Sequence, residues 1–323
     1  MKAISFSRYG DPDVLELAER PTPEPLRGEV LVRVHATAIN DWDWGYVRGK
    51  PCIYRLLFGL FRPKVTILGA EVAGVVEAVG DSVSAFAPGD RVYGDISEAG
   101  FGGFAEYVSV NSLSLVKMPA GMTFEQAAAL PHAGALAMQA LIDLGDLQRG
   151  ERVLINGAGG GVGTLGLQIA KQYEAEVTGV DHGCKLEALR RLGFDQVIDY
   201  QRDDFTQGEG PYDLIVDTKT SRSPFRYARA LKRGGRYVTV GGDPSRLVQL
   251  LCVGPLLRRL MSKQAHIVAL KPNKNLDYIG KLFSQKALTP VIDGLYPLAE
   301  VPRALRRFGE ASHLGKIVIC VRP

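Results

Sequence analysis

The chain has 323 residues, a length that suits two domains or one large one, and its 46% hydrophobic and 23% charged residues fit an ordinary soluble globular protein. Its formal net charge of +4 comes from dispersed Lys and Arg residues, so nucleic acid is not expected as a partner. Four scattered cysteines without a CxxC pair, no signal-peptide pattern and no apolar run of ~18 residues predict a cytoplasmic protein without stable membrane insertion.

The first ~120 residues are predicted to be rich in β-strands, from short runs separated by Gly, Pro and Asp turns. Residues 29–36 alternate apolar and polar side chains over the length of a strand, and residues 71–80 do the same. Short strands of this kind are typical of a small barrel-like domain.

The periodicity becomes helical over residues 123–144, where Thr123 and Gln126 have the spacing of a capping box. Strands and helices then alternate, which predicts a doubly wound parallel sheet in an α/β domain. The chain closes with a predicted helix over residues 298–308 and a strand over residues 316–321. The predicted strands of the sheet are residues 153–156, 177–181, 196–200, 214–217, 236–240 and 266–270.

A glycine-dense turn after the first of these strands has the spacing of a dinucleotide-binding motif. Ala158 allows the tight turn, Gly160 lets a pyrophosphate approach the backbone, and Gly163 lets the following helix pack closely. A helix is predicted over residues 162–173, so Gly161 directly precedes it and Val162 begins it, and its N-terminus would offer free N–H groups to the phosphates.

An acidic residue, Asp181, ends the next predicted strand about 20 residues further on, where a ribose-binding carboxylate is expected. A carboxylate there would bind the 2′-hydroxyl of NAD and repel the 2′-phosphate of NADP. Lys185 could still reach a phosphate as a point charge. The sequence therefore predicts NAD(P)(H) as cofactor, with NAD(H) preferred.

Several further motifs resemble the medium-chain dehydrogenase/reductase superfamily along essentially the whole chain, and within it the zinc-independent, quinone-oxidoreductase-like branch that includes NAD(P)-dependent alcohol dehydrogenase-like proteins. The motifs that carry the resemblance are Gly69-Ala70-Glu71-Val72-Ala73-Gly74, Pro88-Gly89-Asp90-Arg91-Val92-Tyr93-Gly94, Gly102-Gly103-Phe104-Ala105-Glu106-Tyr107-Val108, the glycine turn, Lys271-Pro272-Asn273-Lys274 and Gly315-Lys316-Ile317-Val318.

The resemblance implies a GroES-like β-barrel domain over residues 1–120, completed by residues 289–323, and a Rossmann domain over residues 121–288. It also implies a homodimer, because members of this superfamily commonly pair their last Rossmann strand across a two-fold axis. Residues 266–270 would be that strand, and an exposed strand edge tends to be paired.

No metal is predicted. Zinc-dependent relatives take a Cys and then the His of a Gly-His-Glu triplet as ligands, and these two positions are Asn40 and Ala70 here. A catalytic zinc needs three protein ligands and an open position, so this set is broken.

Catalysis without zinc needs donors that stabilise the charge on the substrate oxygen, and a proton source. In the family the positions of Asn40 and Asp43 border the nicotinamide. Asp43 is expected to hold its loop through bonds to the backbone. Tyr46 is a candidate proton donor, with packing as the alternative.

His132 is a second candidate donor, to the substrate or to the carboxamide of the cofactor, with a packed helix-end histidine as the alternative. Relatives place an apolar or amide residue there and a Thr at the position of Leu136. Gly241 and Gly242 end a predicted strand where a nicotinamide would pass close to the backbone.

Two apolar segments with basic edges, residues 54–62 and 247–261, are interpreted as a lid for an apolar substrate. Contact of such a helix with a membrane surface, or plain core packing, are the alternatives.

These features predict a zinc-independent NAD(P)(H)-dependent oxidoreductase that transfers hydride to a quinone, an enone or a related carbonyl, so its partner is a small apolar carbonyl or quinone substrate. The alternatives are a metal-free alcohol dehydrogenase and a cofactor-binding protein with little turnover.

Overall fold

The computed structural model describes residues 1–207 and 211–322; residue 323, the end of the expected segment 289–323, lies outside the described residues. The chain forms two compact units. One consists of Met1–His132 and Pro272–Pro323, and the other of Ala133–Lys271.

Fifteen strands and ten α-helices are assigned within the described residues. In chain order the strands are β1 (Lys2–Ser5), β2 (Glu16–Glu19), β3 (Glu29–Ala38), β4 (Glu71–Val79), β5 (Arg91–Asp95), β6 (Tyr107–Asn111), β7 (Val116–Lys117), β8 (Arg152–Asn156), β9 (Glu176–Asp181), β10 (Gln196–Asp199), β11 (Tyr212–Asp217), β12 (Leu231–Thr239), β13 (Gln264–Ile267), β14 (Ile292–Pro297) and β15 (Lys316–Cys320). The helices are α1 (Asp41–Arg48), α2 (Ile53–Phe58), α3 (Phe124–Ala128), α4 (Pro131–Met138), α5 (Gly161–Gln172), α6 (Leu186–Leu192), α7 (Pro224–Ala230), α8 (Pro244–Met261), α9 (Leu276–Ser284) and α10 (Val301–Gly309).

The first unit is built around β3, which pairs antiparallel with β4, β6 and β15. These strands belong to a seven-stranded sheet that also contains β5, β7 and β14. The alternation predicted for residues 29–36 places Val30, Val32 and Val34 in one buried cluster, since successive side chains of a strand point to opposite faces. The GroES-like β-domain is confirmed.

The second unit contains a six-stranded parallel sheet in the order β10-β9-β8-β11-β12-β13. The predicted doubly wound parallel sheet is therefore confirmed. The strand order reverses between β8 and β11, and in open α/β sheets the carboxyl ends of strands at such a point form the ligand crevice.

The unit boundaries lie at 132/133 and 271/272, which differs from the expected 120/121 and 288/289. Local packing explains the shift at each end. Phe124 of α3 stacks on His35 of β3 with ring centroids 4.2 Å apart. The Asn273 side chain donates a 2.8 Å hydrogen bond to the backbone oxygen of Asp95 at the end of β5.

Some element bounds also differ from those predicted. The helical stretch 123–144 consists of α3, α4 and a π-helical turn over Gln139–Asp143, because Pro131 begins a new helix at its first position. The capping box of Thr123 and Gln126 is present. The last Rossmann strand is Gln264–Ile267 rather than residues 266–270. No helix in the described residues is long and apolar enough to cross a membrane.

Candidate active site and cofactor site

The glycine turn joins β8 to α5 in the second unit. A Cβ at Gly160 would have only the Gly157 oxygen near it, at 3.5 Å, so the backbone there is open to an approaching group. A Cβ at Gly163 would lie 2.4 Å from the Ala158 oxygen, so this position requires glycine. The backbone N–H of Thr164 bonds to the Gly160 oxygen, which leaves the N–H groups of residues 161–163 without intrahelical acceptors.

Asp181, at the end of β9, is tied to this turn. Its Oδ2 accepts a 2.7 Å hydrogen bond from the Gly159 backbone N–H, and its Oδ1 accepts one of 2.8 Å from the His182 N–H. The Lys185 ammonium lies 3.4 Å from Oδ1, and only 8% of its side chain is exposed. The two predicted cofactor residues thus form a buried ion pair beside the glycine turn.

The carboxyl ends of β8, β11 and β12 are joined through the fully buried Asp217. Its carboxylate accepts 2.8 Å hydrogen bonds from the Asn156 amide and from the Tyr237 hydroxyl. A Cβ at Gly242, just beyond β12, would lie 2.2 Å from the Lys219 oxygen, whereas the space beside Gly241 is open for at least 4 Å. The backbone at this edge of the sheet is therefore closely packed at Gly242 and open at Gly241.

The geometry of the glycine turn fits a bound dinucleotide. It offers open backbone at Gly160, free N–H groups and the positive end of the α5 dipole at Gly161 and Val162, and a ribose-side carboxylate at Asp181.

In the first unit a buried polar network centres on Glu71, at the start of β4, which is fully buried. Its Oε1 accepts a 2.8 Å hydrogen bond from the backbone N–H of His132, in the first turn of α4. Its Oε2 accepts bonds from the Asn40 amide, at 2.8 Å, and from the Lys316 ammonium, at 2.6 Å. Lys316 also donates to the Asn40 oxygen at 2.5 Å. The charges of Glu71 and Lys316 therefore neutralise each other inside the unit.

The His132 ring joins this network to β5. Its Nδ1 lies 2.7 Å from Oδ2 of Asp95, and the two side chains are 9% and 0% exposed. Burial lowers the pKa of His132, but the Asp95 charge, its hydrogen bond and the Glu71 charge outweigh burial and raise that pKa above its usual value. Burial likewise raises the pKa of Asp95, and the His132 charge and hydrogen bond reverse this and lower it.

Asp43 occupies the structural role expected for it. Its carboxylate accepts 2.9 Å hydrogen bonds from the backbone N–H groups of Asn40 and Gly69, which fix the start of α1 against the segment before β4. Burial raises the pKa of Asp43 to about 7, with these two backbone bonds opposing the rise.

Tyr46, the other candidate proton donor, is fully buried in the first unit. Its side chain lies in the hydrophobic core of the first unit and is 0% exposed. Its hydroxyl accepts a 3.1 Å hydrogen bond from the Val65 N–H, so it is occupied inside the protein. Of the two interpretations given above for Tyr46, proton donation and packing, the full burial of its side chain in the core of the first unit favours packing.

Comparison with known proteins agrees with this architecture. The family described as "Alcohol dehydrogenase GroES-like domain" matches residues 26–120, and the family described as "Zinc-binding dehydrogenase" matches residues 192–319. The human quinone oxidoreductase is 30% identical over 99% of this chain and 97% of its own. The 2-methylene-furan-3-one reductase of Solanum lycopersicum is 34% identical over 75% of this chain and 62% of its own. The solved structure of the quinone oxidoreductase from Coxiella burnetii is 30% identical, with a TM-score of 0.89 over 100% of this chain and 99% of its own.

The chain belongs to the quinone-oxidoreductase-like branch of the medium-chain dehydrogenase/reductase superfamily. It is an NAD(P)-dependent oxidoreductase of that superfamily.

In this oxidoreductase, Asn40 and Ala70 occupy the two positions at which zinc-dependent relatives have zinc ligands, and both lie beside the buried network. Asn40 bonds to both Glu71 and Lys316, and Ala70 is fully buried next to Glu71. Among the described residues no group of three or more His, Cys, Asp or Glu side chains is arranged to hold a metal ion.

Three residues of the buried polar network were not predicted as site residues from the sequence, namely Asp95, Glu71 and Lys316. Each lies in or next to a motif that carries the family resemblance, since Asp95 follows Pro88 to Gly94 and Lys316 follows Gly315. The motifs marked these positions as important without indicating their contacts.

The buried ion pair gives a test of stability. Lys316→Met leaves the Glu71 carboxylate without its cation, and breaking one side of a buried pair costs about 3–5 kcal/mol of unfolding free energy. Arg303→Met is the control, because the pair of Arg303 and Glu300 is 71% and 41% exposed and is worth less than about 1 kcal/mol. Urea denaturation measures both; equal losses in the two variants would contradict the role of Lys316.

Proposed function

We propose that this oxidoreductase reduces a quinone, an enone or a related carbonyl with NAD(P)H and without zinc, with His132 as proton donor. When bound, the reduced nicotinamide supplies a hydride to the substrate carbon. His132 supplies the proton that balances it, to the substrate oxygen or to the carbon beside the carbonyl. The observation that carries the proposal is the buried pair of His132 and Asp95.

The pair fixes which form of His132 can donate. Because the lowered pKa of Asp95 keeps its carboxylate ionised, that carboxylate can only accept, so Nδ1 of His132 carries a proton. Nε2 then bears a proton only in the imidazolium form, which Asp95 favours by raising the pKa of His132. Nothing hydrogen-bonds to Nε2 among the described residues, so this atom is free for substrate.

Glu71 acts as a positioning residue for His132. Its carboxylate holds the backbone N–H of His132 at 2.8 Å, and Lys316 and Asn40 hold the carboxylate. The Lys316 ammonium thereby lies beside the positions of two family zinc ligands. This arrangement supports zinc independence, because the cation that balances Glu71 is built into the chain.

The substrate class rests on the relatives. The human and Coxiella burnetii proteins are named quinone oxidoreductases, and the tomato protein is named a 2-methylene-furan-3-one reductase. Quinones and enones share an activated double bond conjugated to a carbonyl, so one proton donor serves both.

Absorbance at 340 nm with NADH or NADPH tests the activity against a quinone, an enone and an aldehyde. We expect oxidation of the cofactor with the quinone or the enone, before and after treatment with a chelator. Tight cofactor binding without turnover of any acceptor would favour a binding protein, and loss of activity on chelation would refute zinc independence.

Variants of His132 and Asp95 test whether His132 is the proton donor. His132→Gln should lower kcat by about 10²-fold or more, with little change in KM, since general acid catalysis contributes on this scale. In the wild type kcat should fall as pH rises through the raised pKa of His132, because only the imidazolium donates. Asp95→Asn removes the charge that raises this pKa, so the fall should move to lower pH. An unchanged pH profile in Asp95→Asn would refute the assignment.

For the cofactor we propose a preference for NAD(H). The carboxylate of Asp181 stands at the glycine turn, and the only cation placed beside it, Lys185, is engaged by that carboxylate within the described structure. Lys185 is thus held where it offsets Asp181 rather than a 2′-phosphate.

Asp181→Asn should release Lys185 and remove the repulsion of the 2′-phosphate, so KM for NADPH should fall by about tenfold while KM for NADH rises. Asp195→Asn is a matched control, because Asp195 pairs with Lys171 at 2.5 Å near the opposite end of β9. Steady-state kinetics with both cofactors measures the change. An unchanged KM for NADPH in Asp181→Asn would show that Asp181 does not discriminate.

We also propose a cytoplasmic homodimer. The four cysteines, at positions 52, 184, 252 and 320, are all free thiols, which suits a reducing compartment. β13 is the last strand of the Rossmann sheet and pairs only with β12 among the described strands, so its outer edge is available to a second copy. Light scattering should give twice the chain mass for the wild type. Ile267→Pro removes a backbone N–H from the outer edge of β13, so it should lower the measured mass toward that of one chain.

A further inference from the structure

An exposed apolar segment lies in the first unit, over residues 52–64, and has no part in the site described above. No residue of its helix α2 is buried. Five large hydrophobic side chains of the segment are strongly exposed, namely Ile53 at 49%, Leu56 at 69%, Leu57 at 61%, Leu60 at 53% and Phe61 at 87%. A concentration of this kind marks an interaction surface more often than isolated exposed residues do.

The 52–64 segment has two distinct faces. Tyr54 and Phe58, four residues apart, stack with ring centroids 6.0 Å apart and face inward, where Tyr54 contacts Trp42 at 5.7 Å. Ile53 and the adjacent pair of Leu56 and Leu57 have the spacing of the opposite helical face. The inward aromatic face already anchors the helix, so the outward aliphatic face is left for a partner.

The charge around this face has one sign. Residues 44–70 contain no Asp or Glu. Lys50, Arg55, Arg62 and Lys64 are all exposed, and no carboxylate pairs with any of them in the part of the chain that the structure describes. Arg48, which pairs with Asp11 at 3.8 Å, is the fifth basic residue. The apolar face is therefore rimmed by five cations, four of which have no carboxylate partner within the described residues.

We propose that the 52–64 segment docks this protein on an anionic lipid surface. The aliphatic side chains and Phe61 enter the boundary between headgroups and acyl chains, and the surrounding cations bind lipid phosphates. A second copy fits poorly, since a two-fold contact through this face would bring like charges together. A short helix without a spanning length gives reversible binding rather than insertion.

Vesicle binding by the full chain tests the proposal. Vesicles of phosphatidylcholine alone are compared with vesicles containing roughly one-third phosphatidylglycerol, an anionic lipid. We expect at least about tenfold tighter binding to the anionic vesicles, weakened by salt. Both tryptophans of the chain, Trp42 and Trp44, lie in α1, and Trp42 contacts the segment, so a blue shift of their emission should accompany binding.

Two variants and one matched control locate the contact. Phe61→Asp and the pair Arg62→Glu with Lys64→Glu should each reduce binding to anionic vesicles by about tenfold or more. Leu113→Asp should leave it unchanged, because Leu113 is 88% exposed, like Phe61 at 87%, but lies outside the segment. Circular dichroism checks that the variants fold, and the quinone or enone assay checks their activity separately.

Three outcomes would overturn the proposal. One is equal binding of the wild type to both kinds of vesicle, and another is equal loss in Phe61→Asp and Leu113→Asp. The third is a Phe61→Asp variant that binds vesicles normally but changes from dimer to monomer or raises KM for bulky substrates, which would assign the segment to a subunit contact or to a substrate lid.

Discussion

Burial of the Glu71 carboxylate is the constraint on which the first unit depends. An unpaired charge inside a protein is very costly, so both oxygens of that carboxylate need hydrogen-bond donors. The donors come from three parts of the chain that are far apart in sequence, the start of α1, the start of α4 and the start of β15. One carboxylate thereby fixes the mutual placement of a barrel strand, two helix starts and His132, the residue proposed as proton donor.

Much of the fold follows from local pattern. Alternating valines predicted the barrel strands, and the glycine turn with its flanking apolar runs predicted β8, α5 and the parallel sheet. Gly163 had to be glycine for a reason visible in its spacing, since the helix returns close to Ala158. Asp43 was expected to hold its loop because Asp side chains commonly bond to nearby backbone groups, and its carboxylate accepts two such bonds.

The rest depends on contacts that no local pattern records. The partner of His132 is Asp95, 37 residues earlier, and the partner of Glu71 is Lys316, 245 residues later. Tyr46 is a similar case. Whether its side chain is buried or exposed depends on how α1 is rotated about its axis, which the local sequence does not reveal. The domain boundaries shifted for a related reason, since α3 and Asn273 follow the Rossmann pattern in sequence but pack on barrel strands.

Lys316 lies near the end of the sequence, and this position determines when the Glu71 carboxylate is neutralised during folding. The second unit is one continuous stretch, Ala133–Lys271, whereas the first unit is assembled from segments on both sides of it. During synthesis the Rossmann unit is therefore complete while the barrel still lacks β15 and the ammonium group that balances Glu71. Closing such a long loop is slow, so the nascent barrel retains an open β3 edge and an uncompensated acid until the later segment arrives.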